Sequence, residues 1–209
     1  MTELPVFCIV IPVTHSLEYL RSCLESLARL AYPKSAFHTV VVDCGSVVGL
    51  ARFLAEIRPQ LDLSFTTLIL PARTPSGLAW LQEYRMNEAR NAAAHACPAQ
   101  NYLFIEDDTS MPPDLLRKAE AWLTPETGAL GGPDILPPQM DVMAEALDIM
   151  LNSGLGSPGR SKGAFSDDVF IPRKDYFLVP SAVYKMFGPF PEDALFSTET
   201  EFARRLREA

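Results

Sequence analysis

Glu106, Asp107 and Asp108 stand side by side at the end of a short apolar run, Tyr102-Leu103-Phe104-Ile105, and Pro112 and Pro113 follow soon after. Three adjacent carboxylates repel one another unless a cation neutralises them. Hard oxygen donors of this kind suit Mg²⁺ or Mn²⁺, which bridge carboxylates to phosphate oxygens. The bland alternative is a solvated acidic turn. The residues before the carboxylates argue against it, because apolar runs of this length between helical patterns are buried strands of a parallel sheet. Ligands of open α/β sheets bind just beyond the carboxyl ends of such strands. Asp43 has a comparable place: it ends the apolar run Thr39–Val42 and precedes Gly45. By position alone it is equally a turn or cap aspartate.

Carboxylates at two strand ends act together only if a sheet brings those ends to one edge. Val6–Val13 is a first strand, and Ser16 is the N-cap of a helix running to Leu30, with Leu17, Leu20, Leu24 and Leu27 at helical spacing. Thr39–Val42 is the second strand, Gly45 and Ser46 make a turn, and Val48–Ile57 is an amphipathic helix closed by Pro59. Leu61–Leu70 reads as a third strand, ended by Pro71 and followed by a loop with Pro75, Ser76 and Gly77. A helix from about Leu78 to Ala96 leads to the fourth strand, Tyr102–Ile105, and Pro112 and Pro113 open a helix to Leu123. Ala129–Gly132 is a short strand-like piece. This β-α-β-α-β-α-β order predicts an α/β fold, a doubly wound, mostly parallel sheet flanked by helices, Rossmann-like in its layering. The second half is less regular. Met140–Leu151 is helical, Asn152–Lys174 is a long Gly/Ser/Pro-rich loop with the length of a lid or acceptor wall, Tyr176–Val179 is a strand, and Thr198–Arg207 is a helix.

The 209 residues suit one domain, 1–209, and 48% hydrophobic residues supply a sizeable core. A formal net charge of −8, with no basic cluster, argues against nucleic acid as the main partner. Cys8, Cys23, Cys44 and Cys97 have no zinc-type spacing. Cys8 and Cys44 lie in apolar runs and read as buried reduced thiols, which implies a reducing, cytoplasmic setting. Glu3 and Pro5 interrupt any signal peptide, and no apolar run approaches the roughly 20 residues that span a bilayer.

With these elements in order, the chain resembles the family 2 glycosyltransferases of the GT-A fold. Ile11-Pro12-Val13 is similar to the family's opening I-P-V/T, and Val41-Val42-Asp43-Cys44-Gly45-Ser46 to V-V-D-D-G-S. Ala89-Arg90-Asn91 resembles A-R-N, and Phe104-Ile105-Glu106-Asp107-Asp108 stands at F-L-D-x-D. Gly131-Gly132-Pro133 resembles G-G-P, Gly188-Pro189-Phe190-Pro191-Glu192 resembles G-G-F-D-E, and 198–206 resembles the E-D-x-E-L-x-x-R-L helix. Each motif is weak alone, but seven in order form a strong signal. The last segments look closest to bacterial enzymes that build extracellular polysaccharide.

The resemblance implies a metal-dependent, inverting transfer of a sugar from a nucleoside diphosphate sugar, UDP-linked by preference, to a hydroxyl of a glycan or lipid-linked acceptor. It divides the chain into a nucleotide-binding half, about 1–110, and an acceptor-side half, about 111–209. By resemblance Pro12, Val13 and Thr14 border the nucleotide, Asp43 accepts a hydrogen bond from the base, and Arg90 lies near the nucleotide, within reach of Asp43 or a phosphate. Asp108 holds Mg²⁺ or Mn²⁺. Glu106 contacts the ribose or the metal's shell, though a Glu here departs from the family's first Asp. Asp107 helps or faces a neighbour. Glu199 is the implied general base, with Glu201, Glu192 and Asp193 as alternatives, and Arg204 or Arg205 is available for the diphosphate. The histidines His15, His38 and His95 share no metal-type spacing; His15 borders the nucleotide, and none reads as catalytic. The family continues past the helical Arg207-Glu208-Ala209, which implies a truncated chain and leaves membrane association of the full-length protein, at the inner face, open. Two rival readings stand beside this one: a non-catalytic sugar-nucleotide-binding or assembly domain, and a nucleotidyltransferase, whose basic glycine-rich loop is missing after the first strand.

Overall fold

In the computed structural model the described residues are 6–45, 47–71, 82–131, 142, 143, 146, 149, 176–192 and 198–208. Five strands form one sheet in the order β3-β2-β1-β4-β5. They are β1 (Phe7–Val13), β2 (Phe37–Asp43), β3 (Phe65–Ile69), β4 (Asn101–Ile105) and β5 (Tyr176–Pro180). β1 pairs parallel with both β2 and β4, β2 pairs parallel with β3, and β5 closes the far edge antiparallel to β4. The helices are α1 (Leu17–Ala28), α2 (Leu50–Ile57), α3 (Gln82–Ala96), α4 (Leu115–Trp122), α5 (Ser181–Phe187) and α6 (Thr198–Arg207). This is the doubly wound, mostly parallel sheet that the element order predicts, and the GT-A type that the resemblance implies.

The strands alternate their side chains between two cores, as the period of two requires. Phe7, Ile9, Ile11 and Val13 of β1 meet Leu20, Cys23, Leu24 and Leu27 of α1 and Leu116 of α4 on one face. Cys8 and Val10 point the other way, to Ala89, Ala93 and Ala94 of α3 and to Phe104, Phe177, Phe190 and Phe202. Every residue of β1 and β4 is buried, which is why these strands read as unbroken apolar runs. The alanine run of α3 lets that helix lie close on the sheet. The larger space beyond β4 is filled by rings: Phe104 meets Phe177, Tyr184 and Phe190 at centroid distances of 5.2, 5.9 and 5.2 Å.

Several boundaries differ from the pattern. β3 starts at Phe65 rather than Leu61, because Arg58–Gln60 forms a 3₁₀ turn around Pro59 and residues 61–64 lead out of it. β3 is an edge strand with Thr66, Thr67 and Ile69 exposed. α4 opens at Leu115, two residues past Pro113, whose carbonyl accepts from Ala31 N instead. Leu130 does bridge to Leu178, in both directions at 2.8 Å. α5 follows β5 without a linker and carries no start signal that the sequence reading used. Residues 142, 143, 146 and 149 are helical and exposed. The rest of that expected helix, the 152–174 loop and the Pro75–Gly77 turn lie outside the described residues. Among the described residues no helix is long and apolar enough to cross a membrane.

Candidate functional site

The chain leaves β1 toward β2 and β3 on one side, and reaches β4 on the other. The direction of winding therefore reverses between β1 and β4, and the crevice outside their carboxyl ends is where such sheets take ligands. Thr14 and His15 continue β1 at that edge, and Glu106, Asp107 and Asp108 continue β4. The motif residues therefore share one corner because of strand order.

Asp107 ties the two strand ends together. Its side chain is fully buried. Oδ2 accepts from Thr14 N at 3.0 Å and from His15 N at 2.9 Å, and Oδ1 lies 2.6 Å from His15 Nδ1. Thr14 Oγ1 also donates to Oδ1, at 3.5 Å. These donors offset the cost of burying a carboxylate. Of the two uses expected for Asp107, helping the ligand or facing a neighbour, the structure shows the second: it is turned onto its own chain. Just beyond it, Ser16 Oγ accepts from Tyr19 N at 3.3 Å and starts α1 as the N-cap predicted.

Glu106 is 5% exposed and Asp108 is exposed, so the corner has one carboxylate set into the protein and one facing solvent. A ring nitrogen of His15 and one carboxylate oxygen each of Glu106 and Asp108 all lie within 4.8 Å of one another. This mixed nitrogen and oxygen donor set fits a six-coordinate divalent cation. Burial works against the charged form of His15. The hydrogen bond to Asp107 and the charges of Asp107, Asp108 and Glu106 outweigh it, so its pKa lies above the ordinary value. The Cys23 thiol donates to the Glu106 carbonyl at 3.9 Å, and burial, then the charges of Asp107 and Asp108, push its pKa up. Cys23 is thus an inert lining residue, and all four cysteines are free thiols.

A second corner lies at the end of β2. Asp43 is opposite Val13 on one side and Ile69 on the other. Its Oδ1 accepts from Gly45 N at 2.7 Å, a turn that needs the φ of +76° that Gly45 adopts. Arg85, on the first turns of α3, reaches over this turn. Its Nη1 would lie 3.1 Å from a Cβ added at Gly45, and its Nη2 donates to the Pro71 carbonyl at 2.7 Å. Burial pushes the Cys44 thiol up to about 12, with the Arg85 charge working the other way.

Arg90 is found elsewhere. It is 1% exposed, and its guanidinium carbon sits 5.6 Å from the Phe177 centroid and 5.7 Å from that of Phe190. A guanidinium so deeply set on two rings packs as part of the core. Among the described residues Arg85, rather than Arg90, is the arginine at the Asp43 turn. The neighbouring Asn91 is also structural. Its Nδ2 donates to the Phe190 carbonyl and to Glu192 Oε1, and its Oδ1 accepts from Tyr184 Oη and Phe190 N.

Glu199 is the second residue of α6, and its side chain, like Asp193, lies outside the described residues. Both oxygens of Glu201 are occupied: Arg204 Nε and Nη2 donate at 2.8 and 2.9 Å, and Arg205 Nε at 3.0 Å. These bonds pull its pKa down to about 2. Arg204 also holds Glu208, and Arg205 donates to the Phe187 carbonyl, so both guanidiniums already have partners inside the chain. Sequence reasoning set His15 beside the nucleotide without grouping it with the carboxylates, and it missed Arg85. Both groupings depend on the strand order, since neither residue sits at a recognisable spacing from its neighbours in the site.

No protein-family model matches the chain. Among curated proteins it is 26% identical over 117 residues to the poly(ribitol-phosphate) beta-N-acetylglucosaminyltransferase TarS of Staphylococcus aureus, which covers 56% of this chain and 18% of TarS. It is 23% identical over 211 residues to the glycosyltransferase AglE of Haloferax volcanii, covering 100% of this chain and 63% of AglE. Among solved structures, 96% of the chain superposes on 54% of S. aureus TarS 1–349 in complex with UDP, with a TM-score of 0.67 at 17% identity. The mannosyltransferase PcManGT from Pyrobaculum calidifontis in complex with GDP-Man and Mn²⁺ gives 0.62 at 19%, over 96% of this chain and 51% of that one. The structural likeness shows the fold. The chain spans less than two thirds of each of these relatives. The likeness to glycosyltransferases that the motifs predict is borne out by the curated relatives.

Proposed function

We propose that this chain carries the donor-binding machinery of a metal-dependent, inverting glycosyltransferase, which moves a sugar from a UDP-sugar to a hydroxyl of a glycan or lipid-linked acceptor. The observation that carries the reading is the meeting of Glu106 and Asp108 with the end of β1 at the sheet's switch point, in a fold shared with proteins solved with UDP and with GDP-Man and Mn²⁺. Glu106 and Asp108 hold the cation, and a divalent ion there supplies the positive charge that a departing diphosphate needs. Asp43 accepts from the base, and its Gly45 turn keeps that carboxylate pointed along the sheet edge. Pro12, Val13 and Thr14 line the nucleotide, with Thr14 fixed from behind by Asp107.

Glu199 is the base that takes the acceptor's proton. Support comes by comparison with Glu201, whose two arginine partners and pKa of about 2 make it a poor proton acceptor. The test is calorimetry of UDP-sugars, GDP-sugars and dTDP-sugars with and without Mn²⁺. UDP-sugar affinity should need the metal and fall at least about 100-fold in Asp108→Ala, with the thermal midpoint unchanged. In Glu199→Gln, donor binding should persist while transfer or donor hydrolysis stops. Donor affinity indifferent to both the metal and Asp108 would overturn the reading.

A further inference from the structure

We propose that His15 is a third protein ligand of the cation, with Asp107 as its positioning residue, and that it makes the site prefer Mn²⁺ to Mg²⁺. The inference rests on the metal reading above and adds to it a nitrogen donor from the opposite strand. Three observations support it.

The first is spacing. Donor atoms of His15, Glu106 and Asp108 lie within 4.8 Å of one another. Bonds of about 2.1 Å to an octahedral ion put donors about 3 Å apart when adjacent and about 4.2 Å apart when opposite. A contraction of up to about 1 Å per side chain closes the set. Asp108 and His15 are exposed and can make that adjustment.

The second is orientation. A ligating imidazole is commonly held by a carboxylate that accepts from its other nitrogen, which fixes tautomer and ring angle. Asp107 is such a partner. It is fully buried, contacts Nδ1 at 2.6 Å and anchors the backbone N–H groups of Thr14 and His15 itself. With the neutral ring's proton on Nδ1, the Nε2 lone pair is the one offered to a ligand. Asp107 stands outside the three-donor set and gives its neighbour the geometry a metal-binding histidine needs.

The third is topology. His15 arrives from β1 and the two carboxylates from β4. A cation held by all three spans the switch point, so binding it links the strand ends that flank the donor crevice. An imidazole nitrogen suits first-row transition ions, whereas Mg²⁺ favours oxygen ligands and water. Replacing one oxygen site by nitrogen therefore tilts the selection toward Mn²⁺.

The experiment is direct Mn²⁺ binding, read from the loss of the free-ion electron paramagnetic resonance signal, with and without UDP, and with Mg²⁺ as competitor. His15→Asn should weaken Mn²⁺ about 10- to 100-fold, change Mg²⁺ less than about 3-fold, and so collapse the Mn²⁺:Mg²⁺ ratio. Pulsed resonance on the bound wild type should show a ¹⁴N coupling that changes when histidine alone is ¹⁵N-labelled, a readout that needs no variant to fold. Unchanged affinity and ratio in His15→Asn, or no nitrogen coupling, overturns the proposal. If Asp108→Asn loses Mn²⁺ while His15→Asn keeps it, the metal reading survives and His15 alone is excluded. A wild type that binds no Mn²⁺, with or without UDP, removes both.

Discussion

Asp107 and Glu201 show opposite uses of a carboxylate. Asp107 is sealed from solvent and serves two backbone N–H groups and an imidazole. Asp107→Asn keeps the shape but turns an NH₂ toward groups that also donate, so a buried donor loses its acceptor. The expected cost is about 2 kcal/mol, read as a lower urea midpoint at unchanged slope. A midpoint within error of the wild type would mean that the Thr14–His15 turn stands without this contact. Glu201 is on the surface of α6, and its pKa of about 2 arises from Arg204 first and Arg205 next. A depressed carboxylate pKa adds stability above its ordinary value of 4.5, and that stability is lost as pH falls through about 2. Carboxyl ¹³C shifts should therefore show Glu201 still ionised at pH 4. Because the pair faces water, 1 M salt should move its midpoint back toward the ordinary range.

At the level of elements, the strands that build the site were the legible ones. β1 and β4 are buried on both faces, so their sequences are continuous apolar runs and their ends were read to within a residue. β3 was read too long because Leu61 and Leu63 are apolar, yet the 3₁₀ turn at Pro59 delays pairing until Phe65. Of the candidate site, the carboxylates of Glu106 and Asp108 were legible because they end a run too apolar to be a surface turn, and Asp43 only through its motif, since by position alone it could be a turn aspartate. Arg85 was not, and His15 was legible only as a neighbour of the nucleotide, because what groups them with these carboxylates is which strands are neighbours. The burial of Arg90 was illegible for a related reason. Its motif was visible, but the rings that bury it come from Phe177 and Phe190, on the far side of the sequence. The same distant segment is held by Asn91, whose amide makes four hydrogen bonds to residues 184–192. Asn91→Ala should cost about 3 kcal/mol and expose the 188–192 turn to limited proteolysis. Two glycines separate backbone demand from site geometry. Gly45 and Gly49 have φ of +76° and +83°, so alanine at either should cost about 1 kcal/mol. Nothing lies within 4 Å of a Cβ at Gly49, whereas one at Gly45 displaces Arg85. Only Gly45→Ala should also weaken UDP binding. Equal binding losses in both would remove Arg85 from the donor site.

Charge at the scale of the whole molecule is the ground for expecting a cation at the corner. The chain carries −8 at neutral pH, and its candidate site is acidic. A nucleoside diphosphate is an anion, so over distances within a Debye length of about 8 Å the protein repels its own proposed donor. Arg85 is the cation described at the donor corner, and Glu88 lies 3.8 Å from it. Arg90 is buried, and Arg204 and Arg205 are engaged with Glu201. Among the described residues these arginines are committed within the chain, so the attraction is expected from an ion bound with the ligand, which makes binding of metal and nucleotide mutually dependent. Thermal unfolding reads this coupling directly. UDP at 100 times its Kd in the presence of Mn²⁺ should add about 2.7 kcal/mol to the folded state. For a chain of this size that raises the midpoint by about 5–10 °C. Mn²⁺ alone should give a smaller rise, and UDP with a chelator almost none. A full shift with UDP and chelator would mean that the acidic corner binds nucleotide unaided, and the electrostatic account of this fold edge would fail.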